Sequence, residues 1–422
     1  MAVFEDRRKT AAVFEDLESA VRSYCRSWPV VFDRALGSWL YDESGRPYLD
    51  FFTGASALNY GHNNPLLQRP LIEYLCSDRV IHSLDMFTVA KRDFLRALDE
   101  VILQPRRLHY RIQFPGPAGT NAVEAAMKLA RKVTGRTNII CFTNAFHGTS
   151  LGSLAASANP LMRAAAGVPL EHTTRLPFDA QALDQAPDFR LADLVLEDAG
   201  ADRPAAVIVE TVQGEGGVNV ATPEWLRGLA ERCRRQEVPL IVDDVQMGCG
   251  RTGPFFSFEA SGIEPDIVCL SKSISGYGMP LALTLIRPEL DIWEPGEHNG
   301  TFRGFNPAFV TGAAALRAYW QDDALELSTM AKGRRVAATL AALAEVVPAE
   351  VQARGRGMVH GLAFARPELA HEVSAAAFDR GLLVETAGPQ DEVVKLLPPL
   401  TVTDSELDQG MALLADAMHS VC

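Results

Sequence analysis

Two stretches decide how the chain is read: Ile241-Val242-Asp243-Asp244-Val245-Gln246 and Leu270-Ser271-Lys272-Ser273-Ile274-Ser275-Gly276-Tyr277-Gly278. In each, a short apolar run leads into a chemically active residue. A lysine at a strand end can form a Schiff base with a cofactor aldehyde, and an aspartate at another strand end can keep that cofactor's ring nitrogen protonated. Together they are the parts of a pyridoxal phosphate site. A surface lysine and an ordinary strand-end acid would account for most Lys/Asp pairs. Here the flanks Gln246-Met247-Gly248-Cys249-Gly250-Arg251-Thr252-Gly253 and Gly276-Tyr277-Gly278-Met279-Pro280 favour the cofactor reading.

Working outward, strand runs alternate with helical patterns between about residues 70 and 310. Ile139–Phe142, Ala205–Glu210, Leu240–Val245 and Ile267–Leu270 are short, apolar and rich in Val and Ile; Thr120–Thr134 and Pro223–Gln236 lie between them with helical spacing. That alternation predicts an α/β fold, a mostly parallel central sheet covered by helices. Before it, residues 1–65 form an N-terminal segment assigned to a smaller lobe. A helix is expected over Leu17–Arg26, with strands at Val30-Val31-Phe32 and Trp39-Leu40-Tyr41 and a turn at Asp42–Arg46. Residues 66–310 are expected to form the large α/β domain and 311–422 a smaller α+β domain. The last part opens with the Ala-rich helix Phe309–Tyr319, and Arg354-Gly355-Arg356-Gly357 leads into a strand. Ala2-Val3-Phe4-Glu5-Asp6 recurs as Ala12-Val13-Phe14-Glu15-Asp16, but two copies do not make a solenoid.

Bulk properties narrow the partners. With 422 residues and 47% hydrophobic content, the chain can build a large core. A net charge of −13 without a basic block argues against nucleic acid or an anionic membrane. Seven cysteines without CxxC spacing point to reduced thiols rather than disulfides or a metal site. No run approaches the roughly 20 apolar residues of a membrane helix, and the first residues lack a signal-peptide apolar region. A cytoplasmic location is expected.

Further candidates follow from position. Phe114-Pro115-Gly116-Pro117-Ala118-Gly119-Thr120 runs straight into a helix, where backbone N–H groups can hold a phosphate. Glycine turns before helices are common and usually structural; this one gains weight from the lysine and the aspartate. Phe146, after the strand 139–142, can lie on the pyridine ring, with His147 supporting the loop. Glu210 and Glu215 flank a glycine-rich loop at another strand end, where open α/β sheets bind ligands.

These motifs, in this order, resemble the class III (omega) aminotransferases of fold type I, over nearly the whole chain from about residue 14. Within them the text is most similar to the diaminobutyrate–2-oxoglutarate transaminase branch of ectoine biosynthesis. Carrying stretches are Ser23–Ser27, Ala57–Pro65, Glu210–Val220, Pro295–Gly304 and Glu392–Leu400. The resemblance implies pyridoxal 5′-phosphate as cofactor and no metal, with catalysis by Lys272 and Asp243. It implies that Gly119 and Thr120 bind the phosphate, Phe146 stacks on the ring, Glu210 lies near the cofactor and Gln246 contacts the ring hydroxyl. Thr301 would reach the phosphate of the other subunit in a homodimer or higher homo-oligomer. Glu215 corresponds to a carboxylate that pairs with a C-terminal arginine in ornithine-type relatives; here the matching position is Lys395, a point charge without the bidentate fork. Ala118, Ala145, Met247 and Phe305 depart from the branch, and bulky Met247 and Phe305 are expected at the substrate pocket.

The implied activity is transfer of an amino group between L-glutamate/2-oxoglutarate and a terminal aldehyde, foremost L-aspartate 4-semialdehyde, giving L-2,4-diaminobutyrate. A paralogue acting on ornithine, 4-aminobutyrate or a secondary-metabolite intermediate stays open. So does a racemase or aminomutase on the same fold. A non-catalytic descendant is disfavoured by the retained Lys272 and Asp243.

Overall fold

The computed structural model describes residues 12–179, 188–197, 203–347 and 350–422. The first copy of the short N-terminal repeat lies outside them.

Seven strands form the central sheet, in the spatial order Arg111–Gln113, Leu283–Ile286, Ile267–Leu270, Leu240–Asp243, Ala206–Val209, Ile139–Phe142, Thr173–Leu176. All run parallel except Leu283–Ile286, which is antiparallel to both neighbours. Every residue of the four strands Ile139–Phe142, Ala206–Val209, Leu240–Asp243 and Ile267–Leu270 is buried. Helices cover both faces, so these strands are apolar throughout rather than alternating. The runs that looked like strands over 205–210 and 240–245 are trimmed to 206–209 and 240–243, because the next residues turn away from the sheet.

The covering helices carry their own punctuation. Gly119–Thr134 buries Ala122, Val123, Ala126, Met127, Leu129 and Ala130 and ends on Gly135, whose φ of 68° a side chain would resist. Pro223–Arg235 starts from Thr222, whose side chain accepts a hydrogen bond from the Trp225 N–H, with Pro223 in the first turn.

A four-stranded antiparallel sheet near the C-terminus orders Val351–Arg356, Val359–Phe364, Val393–Leu396 and Glu385–Ala387. Arg354-Gly355-Arg356 is therefore strand, and Gly357-Met358 makes the hairpin turn. A third sheet joins the two chain ends: Leu382–Leu383 pairs parallel with Pro47–Asp50, the last of three N-terminal strands. The helix expected over 17–26 is broken. Residues 12–17 are helical, then the chain bends, and a single turn Tyr24–Ser27 follows. The first strand is Phe32–Leu36, later than expected, and the Ala-rich helix begins at Asn306.

Candidate active site

Four adjacent parallel strands deliver the candidate residues from their carboxyl ends. His147 and Phe146 follow Ile139–Phe142, Glu210 follows Ala206–Val209, Asp243 closes Leu240–Asp243, and Lys272 follows Ile267–Leu270. Chain order reverses between Ile139–Phe142 and Ala206–Val209, since the next strand in sequence, Thr173–Leu176, lies on the outer side. Ligand crevices in open α/β sheets form at such a reversal. A cavity of about 170 Å³ opens there, lined by Gly119, Thr120, Phe146, His147, Gly148, Glu210, Glu215, Asp243, Val245, Gln246, Met247 and Lys272.

Asp243 is nearly buried. Its Oδ2 lies 2.7 Å from His147 Nδ1, and its Oδ1 accepts from the Val245 N–H at 3.2 Å. Asp244, one residue on, points to the other side, where its carboxylate accepts hydrogen bonds from Ser257 N and Oγ. Burial pushes Asp244 up to about 7, Ser257 opposing and Asp243 adding to the shift. Strand alternation thus separates a site acid from a structural one. His147, expected only to support its loop, is a direct partner of Asp243.

Lys272 has φ of +52°, in the left-handed region that a side chain occupies at a cost of roughly 1–3 kcal/mol. Neighbouring hydroxyls hold it there: Ser271 Oγ donates to Leu281 O at 2.7 Å and Ser273 Oγ to Ser56 O at 2.7 Å. Its Nζ donates to Ala55 O at 2.8 Å. That carbonyl sits in a turn, Thr53–Ser56, whose four residues all have φ between 50° and 71°. Consecutive left-handed residues cost about 1–2 kcal/mol each. The turn is clamped by Asp50 Oδ1, which accepts from Phe52 N and Thr53 N at 2.8 Å, and by Arg251 Nε donating to Ser56 Oγ at 2.9 Å. Burial lowers the pKa of Lys272, with Glu215 opposing and Lys395 reinforcing the shift. A lysine with a depressed pKa is one suited to nucleophilic and proton-transfer chemistry.

Glu210 is buried and accepts from the Phe146 N–H at 3.0 Å; burial, then the Asp243 charge, raises it well above the ordinary carboxylate range. Glu215 Oε1 accepts from Gln246 Nε2 and from Lys395 Nζ, both at 2.8 Å. Burial would raise Glu215, but Lys395 and Lys272 hold it at about 2. Lys395 is completely buried and meets a second carboxylate, Glu385 Oε1, at 3.0 Å. Sequence reasoning missed Glu385. A signal existed: Glu385 and Lys395 are the lone charges in the apolar runs 382–387 and 393–397, flanking a Gly388-Pro389 turn, so a hairpin would pair them.

The cavity fits the phosphorylated pyridine that the sequence implied. At the Gly119–Thr134 N-terminus, Ala118 supplies no side-chain cap, leaving backbone N–H groups for an anion. A Cβ on Gly119 would come within 2.8 Å of Val245 Cγ1, so glycine keeps that end open. Thr120 Oγ1 lies 2.6 Å from Ser153 Oγ and donates to Ser150 Oγ at 3.0 Å, extending the polar end. Gln246 Oε1 and His147 Nε2 are buried without a hydrogen-bond partner. Gln246 turns its amide N–H₂ toward Ala55 O and Glu215. Met247 lines the cavity, whereas Phe305 packs against the main core outside the lining of either cavity at the site. Thr301 stands in the exposed turn Thr301–Arg303, its carbonyl 2.7 Å from His82 Nε2 and away from this chain's own cavity.

A second cavity of about 500 Å³ adjoins the first, sharing Phe146, Glu215 and Lys272 and adding Tyr24, Trp28, Ala55, His371, Glu385 and Asp391 among its walls. Lys272 thus stands where the two cavities meet.

Residues 22–418 match the family model described as aminotransferase class-III. The chain is 62% identical over 412 residues to a diaminobutyrate–2-oxoglutarate transaminase of Nocardia farcinica, covering 97% of this chain and 94% of that one. It is 61% identical over 412 residues to the enzyme of that name in Streptomyces avermitilis, covering 97% of each. Among solved structures, an ornithine aminotransferase of Toxoplasma gondii superposes with a TM-score of 0.85 at 25% identity, over 97% of this chain and 94% of that one.

Proposed function

The chain belongs to the class-III aminotransferases, enzymes that use pyridoxal 5′-phosphate, and from that premise we propose that it interconverts L-aspartate 4-semialdehyde and L-2,4-diaminobutyrate, with L-glutamate and 2-oxoglutarate as the other pair. The observation that carries this is near-full-length identity above 60% to relatives bearing that activity in their names. When bound, the cofactor supplies an aldehyde carbon that takes an amino group from one substrate and hands it to the next, and a ring that stabilises negative charge.

The chain's own residues hold and drive that chemistry. Gly119 and Thr120 hold the phosphate, and Phe146 confines the ring. Asp243 holds the proton on the ring nitrogen, with His147 Nδ1 and Val245 N keeping its carboxylate in place. Glu210 and Gln246, which line the same cavity, would border the bound cofactor. Lys272 Nζ anchors the cofactor; once displaced, it moves a proton off the substrate carbon that bears the reacting nitrogen. Ala55 O, fixed by its left-handed turn, keeps that amine within reach. Glu215 stands on the substrate side with Lys395 behind it, and Met247 lines the inner cavity.

In domain terms, the large unit spans the described residues of 66–310, and residues 12–65 join the described residues of 311–422 in the smaller one, supported by the Leu382–Leu383 pairing with Pro47–Asp50. Its partner is a second copy of this chain. Met86, Phe87, Val89 and Phe302 are exposed apolar side chains around the Thr301 turn, and the His82 and Phe302 rings lie 5.4 Å apart there. Thr301 then serves the neighbouring subunit's phosphate. Mixing Lys272→Ala with Thr301→Ala protein, with subunit exchange verified, should restore part of the wild-type rate, because hybrid dimers contain one site free of both lesions. No recovery would place Thr301 within its own subunit. We place the protein in the cytoplasm. All seven cysteines are unpaired, and among the described residues no helix is long and apolar enough to cross a membrane.

The activity is tested with purified holoenzyme by following cofactor absorbance as single amino donors are added. L-Glutamate and L-2,4-diaminobutyrate should both convert it. In a pocket fitted to the shorter diamino acid, ornithine should react about 10-fold or more slowly than diaminobutyrate, one methylene being worth roughly that. Faster reaction of ornithine or 4-aminobutyrate would transfer the assignment to a paralogous omega-aminotransferase. Sustained turnover of one amino acid into its isomer, with no 2-oxoglutarate needed, would point to an aminomutase or racemase.

A further inference from the structure

We infer that Glu385 receives the ammonium group at the unreactive end of the substrate, and so selects amino acids with a free α-ammonium beyond the reacting terminal carbon. This rests on the terminal-aldehyde reading above.

Glu385 opens the strand Glu385–Ala387 and lies directly across the antiparallel ladder from Lys395. Its Oε1 meets Lys395 Nζ at 3.0 Å, and Lys395 is also held by Glu215 at 2.8 Å. One buried cation, Lys395, is thus shared by two carboxylates, and Lys272 is a second cation acting on the pair. A buried, uncompensated charge is costly and attracts either a proton or a cation.

The two acids are not equivalent. Glu215 takes hydrogen bonds from both Gln246 and Lys395 and stays ionised, at about 2. Burial, with Glu215 adding and Lys395 opposing, pushes Glu385 up to about 7. The Glu385 side chain is 3% exposed, and neither of its buried carboxylate oxygens makes a well-aligned hydrogen bond. It lines the larger cavity together with Lys272, Glu215, Asp391 and the Tyr24 side chain, whose hydroxyl faces the carboxylate. Once Lys272 is committed to the cofactor, carboxylates dominate the charge of that cavity. The Glu385 carboxylate, met by the Lys395 ammonium and the Tyr24 hydroxyl, keeps further acceptor capacity on the same cavity as Lys272. L-2,4-Diaminobutyrate and L-aspartate 4-semialdehyde both bring an α-ammonium; an N-acylated or simple omega-amino acid does not.

The test compares L-2,4-diaminobutyrate with 4-amino-2-hydroxybutyrate, in which a hydroxyl replaces the α-ammonium at nearly the same size. Each is reacted in single turnover with wild-type and Glu385→Gln holoenzyme, with L-glutamate as control. Wild type should prefer the diamino acid, and Glu385→Gln should cut kcat/KM for it by about 30-fold or more, mainly through KM, as loss of a charged hydrogen bond predicts. The hydroxy analogue and glutamate should change less than about 3-fold, on the scale of uncharged contacts. An equal loss on all three donors would make Glu385 only a counter-ion for Lys395 and overturn the inference, as would an unchanged rate with diaminobutyrate. Should Glu385→Gln fail to fold, wild type alone decides: no preference for the diamino acid over its hydroxy analogue overturns the inference. If wild type rejects diaminobutyrate but accepts ornithine, the proposed substrate fails. The same comparison with ornithine and 5-amino-2-hydroxypentanoate then still tests Glu385.

Discussion

Lys272→Ala protein should hold the cofactor yet lose multiple turnover, its rate falling by about 10³- to 10⁴-fold, the scale of losing a positioned proton-transfer group. Borohydride should fix the cofactor to one lysine in wild type, Lys272, and to none in the variant, as peptide mass spectrometry would show. Retention follows from geometry, because the helix N-terminus at Gly119, Asp243 and the Phe146 wall all come from other parts of the chain. The fold should tolerate the change: among the described residues Lys272 Nζ makes one hydrogen bond, to Ala55 O, while the strained backbone at residue 272 is held by Ser271 and Ser273. Label on another lysine would overturn the assignment. A variant that lost cofactor altogether would mean that the covalent link, not the polar cradle, supplies most of the binding.

The second large effect is expected at Asp243. Asp243→Asn keeps size and burial but removes the charge that holds a proton on the ring nitrogen, so kcat should fall by about 10²- to 10³-fold, the cost of one preorganised electrostatic contact, or more. The midpoint of thermal unfolding should move little, since an amide oxygen can still accept from Val245 N. Single-turnover rates with glutamate would read the loss directly. His147 gives an internal comparison: His147→Ala should slow the same step by only about 10-fold, because a partner that positions the acid does less than the acid itself. A near-normal rate for Asp243→Asn would remove Asp243 from the ring nitrogen. Asp244 is no ready substitute, being turned away from the cavity onto Ser257.

Much of this was legible without coordinates, for a definite reason. Strand and helix patterns repeat over a few residues, so Ile139–Phe142 and Ile267–Leu270 could be bounded to the residue. In an open parallel sheet every strand end faces the same crevice. Knowing that Asp243 and Lys272 end strands therefore nearly amounts to knowing that they meet. Likewise Gly119 and Thr120 needed only a helix start.

What tertiary structure alone decided depends on contacts between residues far apart in the chain. Thr53-Gly54-Ala55-Ser56 is an unremarkable tetrapeptide. It becomes a left-handed turn presenting a carbonyl to Lys272 only because Arg251 and Ser273, about 200 residues away, hold it against its own preference. Phe305 is close in sequence to Thr301, yet side-chain direction at a helix start is set by packing, and it lies partly buried against the main core, outside this chain's own cavities. Lys395 by itself reads as a substitute for a carboxylate-binding arginine. Across the hairpin it meets Glu385, and across the domain Glu215, so one lysine is shared between two carboxylates. Local periodicity can place a residue on a face; the net charge of a buried cluster is a sum over distant segments, and exists only once the chain has folded.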